Sequence, residues 1–182
     1  MLPLKTIVEG LLFVADGPLS LEKLAEAAAD NISTESIEQE VESLINEYDD
    51  LNRAFSLSLV AGGYQFRTKP GLAPYVLRLK KKTAHTLSRS ATETLAVIAY
   101  RQPILRAEVE KIRGVDSGGV IRTLLEKDLI KITRRDDNLP GRPMLYGTTD
   151  RFLETYGLSD LKALPTVEEI EKLEPKDTRT LF

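Results

Sequence analysis

Glu93-Thr94-Leu95-Ala96-Val97-Ile98-Ala99 followed by Arg101-Gln102-Pro103-Ile104 decides the fold of this chain, because the same plan occurs near its start. There, Glu9-Gly10-Leu11-Leu12-Phe13-Val14-Ala15 leads through Asp16-Gly17-Pro18-Leu19 into a second apolar segment, Leu21–Ala28, as the later copy leads into Leu105–Ile112. Each pair of segments reads as two helices turned at a proline, which lacks an amide donor and biases the residue before it away from the helical region.

Outward from these corners the pattern continues in both halves. Ile37, Val41, Leu44, Ile45 and Tyr48 share one helical face, and Val120, Leu124 and Leu125 do the same in the second half, which predicts a third helix in each. Leu57, Leu59, Tyr64 and Phe66 then alternate around Gly62-Gly63, a hairpin signal, whereas Leu129–Thr133 and Met144–Thr148 flank a longer loop. Three helices closed by a two-stranded wing describe a winged helix. The expected fold is therefore mainly α with small β wings (α+β): two tandem winged-helix domains joined by a short linker.

Local chemistry sets the expected boundaries. Ser90-Ala91-Thr92-Glu93 fits a capping box that would open the second domain. Ser20, Ser33 and either Asp116 or Ser117 are candidate caps of later helices. Lys80-Lys81-Lys82-Thr83-Ala84-His85-Thr86 is polar and lacks apolar periodicity, so it reads as linker, with frayed helix on its N-terminal side. The expected division is residues 1–79, linker 80–87, residues 88–160 and a tail 161–182. Pro165–Phe182 reads either as an extension or as a docking peptide.

A length of 182 residues suits two small domains whose modest cores would gain from burial against a partner. The absence of cysteine excludes disulfides and thiolate metal sites. The N-terminus carries little positive charge and Glu9 interrupts its apolar run, so no signal peptide is expected, and no apolar run approaches membrane-spanning length. A soluble cytoplasmic protein is the expectation. Charge is strongly segregated: residues 1–50 hold two basic and twelve acidic side chains, net −10, while residues 51–150 hold eighteen and nine, net +9. The split reads as solvated faces, as a device that orients chains against one another, or as a basic middle that approaches nucleic acid.

Direct reading of DNA has weak support. A third helix in the first half would present Glu38, Glu40, Glu42 and Glu47 to phosphates, with only Gln39 and Asn46 as base readers. Its counterpart offers Arg122 and Lys127 alone, and Asp136-Asp137 interrupts the wing cations Arg134, Arg135 and Arg142. Catalysis has less. The single His85 lies in the linker, so no Ser-His-Asp arrangement has a base, and no Walker-type loop occurs. Glu108 and Glu110 form an ordinary exposed acidic pair, and Gly118-Gly119 reads as close helix packing or, less specifically, as an anion site. No catalytic residue, metal site or cofactor is expected.

Association is the stronger theme. In a helix over Leu4–Ala15, Leu4, Ile7, Val8, Leu11, Leu12 and Ala15 form one stripe while Phe13 falls roughly opposite it, so the helix is buried on more than one side, within its own domain or between two copies. Tyr100, Arg101, Gln102 and Pro103 bring interface-favoured groups to a turn, the alternative being a plain corner with Tyr100 in the core.

Together with Leu87-Ser88-Arg89, Arg106-Ala107-Glu108-Val109, Ile112-Arg113-Gly114-Val115-Asp116-Ser117 and Gly141-Arg142-Pro143-Met144-Leu145-Tyr146-Gly147-Thr148-Thr149, the Glu93–Ile104 run closely resembles the bacterial segregation and condensation protein B (ScpB) family. Ile7-Val8-Glu9-Gly10-Leu11-Leu12-Phe13 extends the resemblance to the first domain. The resemblance implies a non-catalytic subunit of the condensin-like complex, acting in chromosome condensation and segregation at the nucleoid. It also implies a homodimer formed through the N-terminal winged helices, and C-terminal domains that bind the kleisin (ScpA), which bridges the SMC ATPase. DNA would be touched indirectly or weakly. On this basis Leu4, Ile7, Val8, Leu11, Leu12 and Phe13 are the expected dimer interface. Tyr100, Arg101, Gln102, Pro103, Arg142, Pro143 and Tyr146 are the expected partner surface or its support, although Gly141 and Pro143 could simply shape the wing and Gly114 could end the second helix. The alternative is a winged-helix DNA-binding transcriptional regulator.

Overall fold

The structure is a computed structural model that describes residues 2–28, 31–79 and 87–172, a mixed arrangement of helices and two small sheets. The chain divides into two compact units, Met1–Ala84 with Leu158–Asp160, and His85–Gly157 with Leu161–Phe182. Most of the expected linker, including His85, lies outside the described residues.

In the first unit, helix α1 (Leu4–Val14) packs with α2 (Leu21–Ala28) and α3 (Thr34–Asp50). Ser20 and Ser33 cap as expected, accepting the Lys23 and Ser36 amides at 3.4 and 3.2 Å. Val8, Leu12, Leu24, Ile37, Val41 and Leu44 interlock as the core, with Leu57 from the sheet. That sheet is a hairpin of β1 (Phe55–Val60) and β2 (Gly63–Thr68), with Leu57 opposite Phe66 and Leu59 opposite Tyr64. Its turn lies one residue earlier than expected, at Ala61-Gly62, with φ +49° and +73°. These are the left-handed conformations that a two-residue hairpin matching strand twist requires. Gly63 belongs to the strand instead, and a Cβ there would meet the Leu19 carbonyl carbon at 2.8 Å. Leu19 and Tyr64 exchange backbone hydrogen bonds at 3.0 and 2.8 Å, fastening the α1–α2 loop to the hairpin. After a 3-10 turn (Pro70–Leu72), helix α4 (Ala73–Leu79) follows.

Polar contacts lock α1 to α3. Lys5 reaches Glu47 (2.5 Å) and Ser43 (3.0 Å), and the Tyr48 hydroxyl donates to Glu9 at 2.5 Å. That hydrogen bond, reinforced by burial, pushes the Tyr48 hydroxyl up to about 12. A raised folded-state value means that this stabilisation is complete below the ordinary tyrosine value of 10.0 and is lost as pH rises through about 12. The protein is therefore expected to exceed Tyr48→Phe in stability at neutral pH, with the gap closing across that window in denaturation midpoints. A gap that stays constant through it would contradict the assignment.

In the second unit, α5 (Arg89–Arg101) is capped by Ser88, whose hydroxyl accepts the Ala91 amide at 3.2 Å. The expected Ser90–Glu93 box therefore does not form. Ser90 already lies in the first turn, where its hydroxyl and the Glu93 carboxylate are engaged by Arg113. β3 (Ile104–Leu105), α6 (Arg106–Arg113), α7 (Gly118–Glu126), β4 (Ile130–Arg135) and β5 (Met144–Thr148) follow. Gly114 ends α6 with φ +70°, its amide bonded to the Glu110 carbonyl. The sheet has three antiparallel strands in the order β3-β5-β4 rather than the expected two, because the residues after Pro103 run extended and pair Ile104 with Tyr146. Ile121, not Val120, joins Leu124 in the core beside Leu95, Ile98, Val109 and Ile130.

α8 (Asp150–Tyr156), a 3-10 turn (Leu161–Ala163) and α9 (Val167–Lys172) complete the described chain. Thr166 and Glu169 cap α9 reciprocally, amide to carboxylate at 2.7 Å and amide to hydroxyl at 3.3 Å. The part of the tail up to Lys172 thus has secondary structure, and the remainder lies outside the described residues. Among the described residues, no helix is long and apolar enough to cross a membrane.

Candidate interaction surfaces

The first-helix candidates separate into two groups. Val8 and Leu12 are core residues, with Leu4 and Leu11 packed against them, so these side chains are spent inside their own unit. This corrects the expectation that Val8 and Leu12 lie on a dimer interface: the stripe facing α2 and α3 is the one that closes the core. Ile7 is half-buried. Phe13 and Val14 face solvent, 81% and 75% exposed. The apolar surface that α1 leaves uncovered is therefore its Phe13 side.

At the α5 corner the seven expected partner residues also divide. Gln102 is a fastener: its side-chain oxygen accepts the Thr148 amide (2.8 Å), and its amide nitrogen donates to the Ala99 carbonyl (3.0 Å) and the Thr148 hydroxyl (2.9 Å). It ties the end of α5 to β5, and Gly147 is a glycine because a Cβ there would meet that oxygen at 2.8 Å. Tyr146 is buried in the sheet, which removes it from any surface. Arg142, at φ +46°, pairs with Asp137 through Nη2 and Nε (2.5 and 2.6 Å), and the Pro143 carbonyl accepts the Asp136 amide (2.9 Å). Both residues hold the shape of the wing loop. Pro103 is exposed and follows a cis peptide bond.

Tyr100 and Arg101 remain. Both are exposed, so the alternative that placed Tyr100 in the core is wrong. With Ala96, Val97 and Ile112 they line an open, almost wholly apolar groove of about 260 Å³ between α5 and α6. The Tyr100 hydroxyl donates to the Pro165 carbonyl at 2.6 Å, and burial, then the Glu169 carboxylate, raises its pKa above the ordinary tyrosine value. Sequence reasoning missed Ala96, Val97 and Ile112. The signal was present: Leu95 to Tyr100 is six apolar residues in succession, more than one buried face of a helix can hide.

Two ionic networks support this corner. Arg113, whose side chain is only 7% exposed, joins three segments by donating to Ser90 Oγ (3.1 Å), Glu93 Oε2 (3.1 Å) and Ser117 Oγ (3.3 Å). Its hydrogen bond, followed by that of Arg89, lowers the Glu93 pKa. Arg106 bridges Glu110 and Asp116, each at 2.7 Å. Asp116, rather than Ser117, caps α7 by accepting the Gly118 amide at 3.0 Å; that bond lowers its pKa, and Arg106 contributes. The start of α7 therefore already holds a carboxylate, and a Cβ on Gly118 would meet the Arg106 guanidinium at 2.7 Å. That contact is with the movable end of a half-exposed side chain, and a Cβ on Gly119 would meet nothing within 4 Å, so tight helix packing is not what the two glycines provide.

Among the described residues no group of three or more His, Cys, Asp and Glu side chains could hold a metal ion. The family model described as "Segregation and condensation complex subunit ScpB" matches residues 6–167. Segregation and condensation protein B of Syntrophotalea carbinolica is 47% identical over 180 residues, covering 98% of this chain and 89% of that protein. Its namesake from Moorella thermoacetica is 44% identical over 167 residues, 92% and 84% of the two chains. The crystal structure of ScpB from Mycobacterium tuberculosis aligns with a TM-score of 0.40 at 36% identity, over 85% of this chain and 95% of that one. By the extent of the family match and the identity of these relatives, the chain belongs to the segregation and condensation complex subunit ScpB family.

Proposed function

We propose that this protein is a dimeric, non-catalytic scaffold of the SMC–kleisin complex, serving chromosome condensation and segregation in the cytoplasm by holding the kleisin. The family's description as a complex subunit and its relatives' names support the role. Each unit is read as a winged helix: α1–α3 with the β1–β2 hairpin, and α5–α7 with the β4–β5 wing. In this reading residues 1–79 dimerise through the Phe13 side of α1, and residues 88–160 carry the kleisin site. Two sites on one dimer raise the effective concentration of the second contact, so modest individual affinities add up to a lasting hold. DNA is met through the assembly rather than read by α3, whose Glu38, Glu40, Glu42 and Glu47 would repel phosphates.

The observation that carries the site assignment is the α5–α6 groove, an open apolar trough that Tyr100 and Arg101 help to line. It suits an amphipathic helix whose apolar residues enter the trough and whose acidic residue meets Arg101. Val97→Glu and Arg101→Glu in the full chain are expected to weaken binding of the kleisin's central segment by roughly 30-fold or more each in calorimetry, the scale of an interface hot spot. Arg142→Ala, away from the groove, should change it less than about threefold. Affinities within about twofold of the parent for both groove variants would remove the groove from the proposal.

A further inference from the structure

The groove between α5 and α6 has a neighbour within its own unit. Tyr100, which lines the groove, donates its hydroxyl to the Pro165 carbonyl at 2.6 Å, and the next residue, Thr166, caps α9. The Glu169 carboxylate acts on the same hydroxyl, so the start of α9 stands beside Tyr100. Groove and α9 belong to one compact unit.

The sequence of α9 has the chemistry that suits the groove. Val167, Ile170 and, beyond the described residues, Leu173 recur at helical spacing, with Glu168, Glu169 and Glu171 among them. The groove is almost wholly apolar, and among the described residues no carboxylate lies within ion-pair distance of Arg101. An acidic amphipathic helix and an apolar trough with an unpaired cation are complementary. Length fits as well. Ala96 and Tyr100 are one turn apart on α5, about 6 Å, and the residues of α9 span about 9 Å, so a helix anchored at Tyr100 is long enough to run past Ala96. The hold is weak, because Ile170 is 42% exposed and α9 is too short to persist in water on propensity alone. A second helix of the same chemistry can displace it.

We propose that α9 is a tethered competitor for the α5–α6 groove, anchored beside it at Tyr100, seated in it through Ile170 when the kleisin is absent, and displaced when the kleisin binds. This rests on the kleisin reading of the groove and adds its regulation. A site that is free only part of the time binds with an affinity reduced by that fraction, so a competitor seated about four-fifths of the time costs about fivefold.

Thr166→Ala with Glu169→Ala in the full chain removes both halves of the α9 cap and leaves every groove residue in place. Calorimetry with the purified central segment of the kleisin is expected to show about fivefold tighter binding than to the parent. Affinity within about twofold of the parent, or weaker, would overturn the competitor. The chain has no tryptophan, so Ile170→Trp reports on the same helix directly. Its emission should be that of a buried indole in the free protein and should move to that of an exposed one when a tryptophan-free kleisin segment is added. An exposed emission at the outset, or a buried one that saturating kleisin leaves unchanged, would also overturn it. Val97→Glu separates the two readings. If it weakens kleisin binding while the uncapped pair binds as the parent does, the groove stands and the competitor falls. If it leaves kleisin affinity unchanged, both fall.

Discussion

Arg113→Ala is expected to destabilise the second unit by about 2–4 kcal/mol, the largest stability effect of any charged residue described. The side chain is 7% exposed and donates to Ser90, Glu93 and Ser117, so α5, α6 and the start of α7 share one guanidinium. Truncation leaves two hydroxyls without their donor and a hole beside them. Two features keep the effect from being larger. Glu93 is half exposed and retains Arg89 at 3.0 Å, so its carboxylate is not stranded, and the buried Arg113 Nε has no partner of its own to lose. Arg106→Ala is the matched control, since Arg106 also pairs with two carboxylates but is half exposed, and it should cost no more than about 1 kcal/mol. Urea unfolding of the full chain measures both. An Arg113→Ala cost below about 1 kcal/mol would mean that packing alone holds these helices together.

Under the proposed scaffold, Phe13→Glu is expected to convert a dimer to a monomer and to weaken kleisin binding by about 100-fold or more, the range by which linked sites exceed single ones. Phe13 is 81% exposed, so a charge there costs the isolated chain little, whereas in an interface it would be desolvated without a partner. The neighbouring positions do not allow this distinction. A charge at Val8, Leu11 or Leu12 would enter or crowd the core formed with Leu24, Ile37 and Leu44 and would unfold the unit before any interface could be judged. The variant should therefore keep its helical signal and its unfolding midpoint while its light-scattering mass falls. Retention of both the dimer and the kleisin affinity would place the interface elsewhere.

Much of the fold was legible because it rests on periodicity and on turns. The prolines at the two corners, the third-helix stripe of the first half and the Met144–Thr148 strand stand where the residues put them, whereas in the second half the stripe turns by one residue, from Val120 to Ile121. The misses have local physical causes. Ser88 and Ser90 both present a hydroxyl to the start of α5, and the choice between them depends on Arg113, which arrives from another helix. The two residues of β3 form too short a strand to show an alternating pattern, and only pairing with β5 makes them one. The Thr166–Glu169 cap could have been read from its spacing, but the helix it opens is only six residues long, with Val167 and Ile170 as its apolar residues, too short a pattern to draw attention to it.

The candidate surfaces were legible in region but not in residue. Sequence placed the interesting chemistry at Tyr100–Pro103 and along α1, yet whether a side chain faces out or holds the fold is decided by tertiary packing. Gln102 and Tyr146 were drawn into the sheet, Val8 and Leu12 into the core, while Ala96 and Ile112 were left on the surface.

Size-exclusion chromatography with multi-angle light scattering on the full chain, alone and mixed with the kleisin, tests the scaffold most directly. The predicted result is twice the 20.3 kDa chain mass alone, and in the mixture a complex of two copies with one kleisin. A monomer under all conditions, or a dimer that leaves the kleisin unbound, would contradict it.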